Sequence, residues 1–409
     1  MKICIINHVN SLNLGDCALL YSTIEIVNRA LKPERISVFS FNKRYDKNLK
    51  LPSNVEIIES PCREALNIID RLNILKNMVL TLLWALVFRM TRKDILKNKA
   101  TDRLKGADLV IVRGGDNLGD TYGLNSIIQH LYNIVISILA NKKIVIFGTT
   151  IGPFKNRLLK YLILKILTKV NCVIVRDRFS KNILINNGKV SPKKIFLMPD
   201  VAFLLPQIKD KKYDNVISDK KIKIGIVPST LILKYLKKGE GYDLYTRTIN
   251  WIIDNYNSEI IMIPHVLSPT IGDVKFTRAL LTKVRNKNDI KIIYETDPKK
   301  IKYVISKLNL LISPRMHPII HALSVGTPVI GIDYNFKTIE IMREFGLEEY
   351  VLRVDELNFQ NMQNLIKKTV PKLDKITKQI KKIKKIKLEK ASKYEDVLKQ
   401  IFSDLKCRK

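Results

Sequence analysis

The chain has 409 residues, 46% of them hydrophobic and 27% charged, a composition that can fill sizeable cores and excludes a wholly disordered, collagen-like or disulfide-scaffold protein. Its length exceeds the roughly 100–200 residues of one ordinary domain, so we expect two domains. The 72 Lys and Arg against 38 Asp and Glu give a net charge of +34, which favours anionic partners such as phosphorylated metabolites, nucleic acid or acidic lipids.

The cysteines stand singly in the sequence, with no C-x-x-C pair, and favour neither a zinc module nor a disulfide framework. We therefore predict no metal site and a reducing, cytoplasmic location. The first residues, MKICIIN, lack the longer apolar core of a signal peptide and predict a first β-strand.

Short runs rich in Ile and Val alternate with longer amphipathic stretches through the first half of the chain. Such runs predict strands that are buried on both faces of a parallel sheet, in βαβ order. The predicted strands are 2–7, 36–41, 109–112, 144–148 and 173–176.

The turn after the first predicted strand reads NLGD, residues 13–16. A glycine at the carboxyl end of a strand lets the backbone approach a ligand, and the N–H groups of the following helix favour anions. Gly15 and Asp16 are therefore candidate site residues. The alternative is that Asp16 only caps the helix.

An apolar run, residues 78–88, follows farther along and is shorter than the roughly 20 residues that a transmembrane helix needs. It is flanked by Lys76, Arg89, Arg92 and Lys93. This make-up is typical of a helix at an anionic membrane surface, and also of a buried core helix. Peripheral membrane contact is therefore a hypothesis.

The segment RGGDNLGD, residues 113–120, comes directly after the predicted strand 109–112. Gly114 and Gly115 indicate a backbone that turns tightly or presses against a neighbour, and Asp116 could bind a hydroxyl or take a proton. A sugar-like ligand would suit this segment. A plain glycine turn with an aspartate as helix cap is the alternative.

Two further strand ends carry candidate residues. Gly152 lies in FGTTIGP, and Arg176 ends the strand 173–176. An arginine at a strand end can fork two hydrogen bonds to a carboxylate or phosphate. Its simplest alternative role is an ion pair with Asp177 or another nearby acid.

A second series of apolar runs predicts a second α/β domain. Its predicted strands are 222–227, 260–264, 290–294, 308–313 and 328–333. The polar, lysine-rich stretch 207–221 predicts a linker between the domains. We thus expect domains at 1–206 and 222–355, followed by a helical segment, 356–409.

The segment SPRMHPIIHA, residues 313–322, carries the strongest local signal. Arg315 and His317 precede Pro318, which suits the first turn of a helix. A permanent charge beside a group that titrates near neutral pH can hold an anion while a proton is transferred. A metal site made of His317 and His321 is the alternative, but no acidic third ligand lies beside them in the sequence. His321 is therefore interpreted as a core residue of that helix.

Two more candidates follow strands of the same predicted sheet. His265 comes directly after the strand 260–264, and Lys337 follows the strand 328–333 in the segment DYNFK. Both could reach a ligand at the carboxyl edge of the sheet. An ordinary polar loop residue is the alternative for His265.

The helical segment 356–409 is dense in lysine, with 16 Lys and Arg against 5 Asp and Glu from 367 to 409. Its apolar positions recur at helical spacing, which favours a stripe packed on a core beneath a solvated lysine face. The absence of a recognisable RNA or DNA motif, and an excess made of lysine more than arginine, argue against nucleic acid.

Taken in order, NLGD, RGGDNLGD, FGTTIGP, VRDRFS, MPDVAF, SPRMHPIIHA and GTPVIGIDYNFK resemble the polysaccharide pyruvyl transferase family over roughly residues 1–355. The resemblance implies two Rossmann-like domains in a glycosyltransferase-B-like arrangement. The chain departs from the family pattern at Asp116, where a third glycine is usual, and at Thr149 and Thr150, where Gln-Ser is usual.

The resemblance implies transfer of pyruvate from phosphoenolpyruvate, as a cyclic ketal, onto a glycan or lipid-linked sugar of a cell-surface polysaccharide. No cofactor is implied beyond this donor substrate. Arg315 and Arg176 would hold the donor, His317 would donate the proton, and Asp16 and Asp116 would bind the acceptor from the N-terminal domain. A nucleotide-sugar-dependent glycosyltransferase of the same fold is the alternative function.

Overall fold

The computed structural model describes residues 1–96, 98–187, 190–216, 221–269 and 272–406. The chain clusters into two compact units. Unit 1 comprises Met1–Ser11, Leu19–Val201 and Lys390–Lys409, and unit 2 comprises Leu12–Ala18 and Ala202–Glu389.

Unit 1 is an α/β unit built on a parallel sheet. Its described strands are β1 (Lys2–His8), β2 (Arg35–Ser40), β3 (Val55–Glu59), β4 (Leu109–Leu118), β5 (Ile144–Ile151), β6 (Cys172–Val175) and β7 (Ile195–Leu197). They lie in the order β3-β2-β1-β4-β5-β6-β7. The helices between them are α1 (Leu14–Leu31), α2 (Lys43–Asp46), α3 (Ile68–Thr91), α4 (Lys99–Lys105), α5 (Leu124–Leu139), α6 (Arg157–Leu167) and α7 (Arg178–Asn187).

Unit 2 repeats this plan on a smaller sheet. Its described strands are β8 (Ile222–Ile226), β9 (Ser258–Met262), β10 (Ile290–Ile292), β11 (Leu310–Ser313), β12 (Val329–Asp333) and β13 (Val351–Arg353). They lie in the order β10-β9-β8-β11-β12-β13, and every described pair is parallel. The helices are α8 (Lys211–Val216), α9 (Glu240–Asn255), α10 (Asp273–Lys283), α11 (Pro298–Ser306), α12 (Met316–Val325), α13 (Lys337–Arg343), α14 (Phe359–Thr369) and α15 (Leu373–Lys406), the last of which continues into unit 1.

Both sheets share the strand order of a Rossmann fold, in which the direction of winding reverses next to the first strand. In unit 1 this switch lies between β1 and β4, and in unit 2 between β8 and β11. Ligands of such sheets bind outside the carboxyl ends of the strands at the switch. The predicted class, α/β with two parallel-sheet domains and a lysine-rich C-terminal helix, is confirmed.

The units differ from the predicted boundaries in three places. Residues 207–216 of the predicted linker belong to unit 2, where Tyr213 is buried and donates a hydrogen bond to Glu295 at 2.8 Å; residues 217–220 lie outside the described residues. The turn Leu12–Ala18 clusters with unit 2, not with the N-terminal unit. The end of the C-terminal segment clusters with unit 1, and its last residues, 407–409, are outside the described residues.

The last helix, α15, carries a continuous apolar stripe. Ile376 and Ile380 are buried in unit 2, and Ala391, Tyr394 and Leu398 are buried in unit 1. The Tyr394 hydroxyl donates to the carbonyl of Pro199 at 3.0 Å. The lysines therefore form the outer face of a helix whose inner face packs, as its spacing predicts.

The helix α3 is longer than the apolar run 78–88 within it. It spans 24 residues, begins after Asn67, whose side chain accepts the N–H of Asp70, and ends at Arg92 in the left-handed conformation. By length and composition alone it is the one described helix that could cross a membrane, yet 28% of its most apolar window is buried within the protein.

Candidate functional site

The candidate site lies at the switch point of unit 2, where β11 ends and α12 begins. Arg315 is the residue before the helix, and its backbone N–H donates to the Ser313 hydroxyl at 3.0 Å. Pro318 falls in the first turn, where its missing N–H costs no hydrogen bond. This local geometry places the side chains of Arg315 and His317 at the carboxyl edge of the sheet.

Asp273 holds Arg315 in place. The guanidinium donates from Nε to Oδ2 at 2.8 Å and from Nη2 to Oδ1 at 2.7 Å, a forked ion pair. Asp273 is the first residue of α10 and is fully buried, whereas 15% of the Arg315 side chain is exposed. The fork uses two of the five N–H groups of the arginine, so the other three remain for a ligand.

The same carboxylate also organises the loop that follows β9. Its Oδ2 accepts the backbone N–H of His265 at 3.3 Å and of Val266 at 2.8 Å, and its Oδ1 accepts the N–H of Thr230 at 3.2 Å. Asp273 therefore connects the strand ends of β8, β9 and β11. Its role was missed from the sequence, where the only signal is an acidic residue after a glycine at a helix start.

The NLGD turn is docked onto this loop by backbone pairing. Leu14 N–H donates to the carbonyl of His265 at 3.1 Å, and Leu267 N–H donates to the carbonyl of Leu12 at 2.7 Å. Asn13 and Val266 form an isolated antiparallel bridge between these bonds. The turn after β1 is thus a part of the unit 2 site, which corrects its assignment to the N-terminal domain.

Gly15 lies directly against the ring of His317. A Cβ at this glycine would stand 2.3 Å from Nδ1 and 2.7 Å from Cγ of the imidazole. The Gly15 N–H donates to the Asn13 side chain at 3.1 Å, which fixes the turn. Glycine is needed here because any larger residue would displace the imidazole.

If the His317 imidazole takes part in a reaction, Gly15→Ala is expected to lower turnover by about 10–100-fold, since a displacement near 1 Å of a reacting group has an effect of that order. The melting temperature should change by only a few degrees, because an imidazole can rotate away from the new methyl group. Gly106→Ala is the matched control, since its Cβ would meet only ordinary contacts from 3.4 Å. Equal turnover of both variants would show that the close approach has no role.

His265 and His321 are buried beside His317. Burial lowers the pKa of His265 well below its ordinary value, and the charges of Arg315 and His317 lower it further. Burial also lowers the pKa of His321, with additional effects from Lys302, His265 and His317. Neither His265 nor His321 has a hydrogen-bond partner for its ring nitrogens among the described residues. His321 is a core residue, as predicted.

These two imidazoles predict a loss of stability in mild acid. An unfolded histidine takes up a proton below a pH of about 6.5, whereas these folded ones do not, so the free energy of unfolding should fall by up to about 1.4 kcal/mol per pH unit for each. Urea unfolding at pH 7 and 5.5 measures the slope. His321→Leu should remove about half of this pH dependence of the free energy of unfolding. An unchanged slope would show that His321 takes up a proton in the folded protein as it does in the unfolded one.

Lys337 also lies at this edge of the sheet, as the first residue of α13 after β12. Its side chain is buried, and its N–H donates to the Asn335 side chain at 3.2 Å. Since β12 pairs with β11, Lys337 follows the strand next to the one that leads to Arg315. The structure thus groups Gly15, Asp16, His265, Arg315, His317 and Lys337 in unit 2.

The paired glycines of RGGD have a structural explanation in unit 1. The strand β4 continues to Leu118, past its predicted end at 112, and a Cβ at Gly114 would stand 2.5 Å from the Gly148 carbonyl. Gly115 has a φ of +147°. These glycines permit close approach of β4 and β5, so the backbone presses against a neighbouring strand, one of the two predicted possibilities, and only the predicted strand end at 112 is wrong.

Asp116 and Gly152 are placed close to this strand end. The Asp116 carboxylate is half-buried and accepts the Tyr122 hydroxyl at 2.7 Å. A Cβ at Gly119 would stand 2.6 Å from the Gly152 carbonyl, and Gly152 has a φ of +84°. Neither Asp116 nor Asp120 caps α5, whose preceding residue is Gly123.

Arg176 is committed to a buried ion pair in unit 1. It donates to Asp200 at 2.5 Å and to the Thr150 hydroxyl at 2.9 Å, and that hydroxyl donates to Asp177 at 2.7 Å. Burial opposes its charge, but Asp200 and Asp116 raise the pKa of Arg176. Its partner is Asp200 instead of Asp177, and the alternative role as an ion pair fits this geometry.

The helix cap of the NLGD turn is Asn13, not Asp16. The Asn13 side chain accepts the N–H of Gly15, and its carbonyl accepts the N–H of Cys17 at 3.0 Å. Asp16 lies in the first turn of α1, where a carboxylate is favoured by the helix dipole. No group of three or more His, Cys, Asp or Glu that could hold a metal ion occurs among the residues described.

Solved structures of similar fold cover almost the whole chain. UDP-GlcNAc 2-epimerase from Neisseria meningitidis, bound to UDP-GlcNAc, has a TM-score of 0.61 and 13% identity over 99% of this chain and all of its own. A putative UDP-N-acetylglucosamine 2-epimerase from Listeria monocytogenes has a TM-score of 0.57 and 14% identity over 94% of this chain and 90% of its own. At these identities the likeness shows the fold, and the predicted glycosyltransferase-B-like class is confirmed.

The family follows from the sequence comparison. The family described as polysaccharide pyruvyl transferase matches residues 13–335, from the NLGD turn to the residues after β12. The chain belongs to the polysaccharide pyruvyl transferase family. The amylovoran biosynthesis protein AmsJ of Erwinia amylovora is 23% identical over 283 residues, 63% of this chain. The chain spans 64% of the length of that relative.

Proposed function

We propose that the protein transfers pyruvate from phosphoenolpyruvate onto two hydroxyls of a glycan sugar as a cyclic ketal. The observation that carries this proposal is the arrangement of unit 2. Asp273 holds Arg315 by two hydrogen bonds, and the His317 ring packs against Gly15. An oriented cation beside an imidazole suits an anionic donor that must also receive a proton.

Phosphoenolpyruvate carries a carboxylate and a phosphate, both of which Arg315 can bind. Its three remaining N–H groups, one on Nη2 and two on Nη1, are not used by the fork to Asp273. The N-terminus of α12, which directly follows Arg315, adds backbone N–H groups and a favourable dipole at this edge of the sheet. Lys337, one strand farther along, supplies a second cation.

The reaction needs one proton at carbon and one leaving group. In the proposed sequence His317 protonates the methylene carbon of the donor, and one sugar hydroxyl forms a bond to the electrophilic C2. A second hydroxyl then forms the other C–O bond as the C–O bond to phosphate breaks. One hydroxyl proton restores His317 and the other leaves with phosphate, so no oxidant or reductant is consumed.

The acceptor is proposed to be a growing polysaccharide or its lipid-linked sugar, modified in the cytoplasm. Support comes from the family match and from a relative whose name places it in amylovoran biosynthesis. Asp16, next to Gly15 in the sequence, is the proposed hydroxyl-binding carboxylate of unit 2, and Asp116 is the corresponding candidate of unit 1. Arg176 is assigned a supporting role because its side chain is more deeply buried than that of Arg315 and is held by Asp200 and Thr150.

Phosphate release from phosphoenolpyruvate by the purified protein, with a panel of free, nucleotide-linked and lipid-linked sugars, tests this function. Sugar-dependent release, with product that contains pyruvate in acid-labile linkage, supports it. Release without sugar would indicate a phosphatase, and the absence of both release and a thermal shift by phosphoenolpyruvate would refute the donor assignment.

A nucleotide-sugar glycosyltransferase is the second candidate. It is favoured by one observation, that a protein of the same fold, at 13% identity, is bound to UDP-GlcNAc. A thermal shift caused by UDP or GDP, and none caused by phosphoenolpyruvate, would favour this candidate over pyruvyl transfer.

A further inference from the structure

The helix α3 has two apolar faces, one buried in unit 1 and the other exposed. Its inner face packs into the core of unit 1 through Trp84, Ala85 and Phe88. The Trp84 indole donates to Asp94 at 2.8 Å, and the Met78 carbonyl accepts the Tyr132 hydroxyl at 2.7 Å. These contacts fix α3 as a packed helix of the unit.

The outer face of α3 carries an apolar stripe that the unit leaves exposed. Positions three and four residues apart share one face of a helix, and here they are large aliphatic side chains. Their exposed fractions range from 39% to 76%. The stripe consists of Ile68, Leu72, Leu75, Val79, Leu83 and Leu86.

Exposed apolar side chains also lie at the start of α5, a helix that contacts α3. Leu124 and Ile128 are 63% and 46% exposed, and the neighbouring Gln129 donates to the carbonyl of Cys62, shortly before α3 begins. Exposed apolar area on this scale is rare on a soluble surface that has no partner.

The charges around the stripe are positive. Arg71, Lys76, Arg89, Arg92 and Lys93 are exposed on α3 or directly after it. The single acidic residue of α3, Asp70, is held in an ion pair by Arg63. A surface that is apolar along its length and basic around it complements a bilayer with acidic headgroups.

We propose that the outer face of α3 docks the protein onto the surface of an anionic lipid bilayer. The helix, about 36 Å long, lies parallel to the membrane with its stripe at the headgroup boundary. It does not cross the bilayer, because its inner face is part of the core of unit 1. A second copy of the chain is disfavoured as occupant, since two such faces would bring like charges together.

This proposal is independent of the pyruvyl transfer reaction. It concerns a surface of unit 1 that contains none of the residues proposed for the donor, and it would hold for any chemistry at the site of unit 2. If the acceptor is lipid-linked, docking would also raise its local concentration.

Co-sedimentation of the full chain with vesicles tests the proposal. Vesicles of phosphatidylcholine alone and with added phosphatidylglycerol are compared, at low and high salt. We expect binding to the anionic vesicles that weakens with salt and falls at least about 30-fold in Leu72→Gln/Leu75→Gln/Leu83→Gln. The matched control, Ile185→Gln/Ile386→Gln, removes apolar side chains of 43% and 47% exposure elsewhere and should bind as wild type does.

Three outcomes would overturn the proposal. Equal binding of the triple variant and wild type would show that the lysine excess alone is responsible. Equal binding to neutral and anionic vesicles would show that the basic residues around the stripe do not contribute to binding, against docking on an anionic bilayer. A wild-type dimer in sedimentation velocity that the triple variant dissociates, without vesicle binding, would assign the stripe to a second copy. Circular dichroism and melting temperature check that each variant is folded.

Discussion

Replacing His317 with Ala is expected to lower kcat for sugar-dependent phosphate release about 10²–10⁴-fold, with a small change in KM. The imidazole is proposed to donate the proton that makes the donor electrophilic, an interaction that is made in the transition state. The fold should tolerate the change, because His317 is only partly buried and its ring contacts Gly15 at the edge of the sheet.

The neighbouring His321 provides the control for this experiment. It lies one helical turn farther along α12 and is fully buried. His321→Asn should lower stability and leave kcat within about threefold of wild type, since it is not proposed to touch substrate. If His317→Ala turned over as fast as wild type, His317 would have no part in the chemistry, and the proton donor would have to be sought elsewhere.

The central strands of both sheets could be predicted from the sequence because they are buried on both faces and read as continuous apolar runs. The strands β3, β7 and β13 were missed. All three lie at sheet edges; β3 mixes apolar and charged residues in VEIIE, and β7 and β13 have only three residues each. An edge strand has only one neighbour, so its sequence carries a weaker signal.

The candidate site could be predicted only where its residues are adjacent in sequence. Arg315 and His317 flank a strand end and a proline, which signals their place at the edge of the sheet. Asp273 has no such signal, because it reaches Arg315 from a helix start 42 residues earlier in the chain. The contact of Gly15 with His317 is likewise a property of the folded unit, since neither local segment specifies the other.

Asp273→Ala is expected to destabilise the protein by about 3–5 kcal/mol, because it leaves the Arg315 charge in a largely buried site without its partner. The variant also removes the acceptor of three backbone N–H groups from the loops after β8 and β9. We expect kcat/KM for phosphoenolpyruvate to fall about 100-fold or more, as the guanidinium loses its orientation. Urea unfolding and steady-state phosphate release measure the two effects.

A double variant separates positioning from stability. In Arg315→Met/Asp273→Leu both charges are replaced by apolar side chains of similar length, which often restores the stability lost when one charge is removed. If Asp273 acts by orienting Arg315, the double variant should regain the part of the unfolding free energy that the unpaired charge costs in Asp273→Ala, while its kcat/KM stays low. The part lost with the acceptor of the three backbone N–H groups is not regained. Recovery of both would mean that the ion pair only stabilises the fold, and that the donor is bound by other groups. A KM that is low in Asp273→Ala and high in the double variant would place the donor on Arg315 without any need for its carboxylate partner.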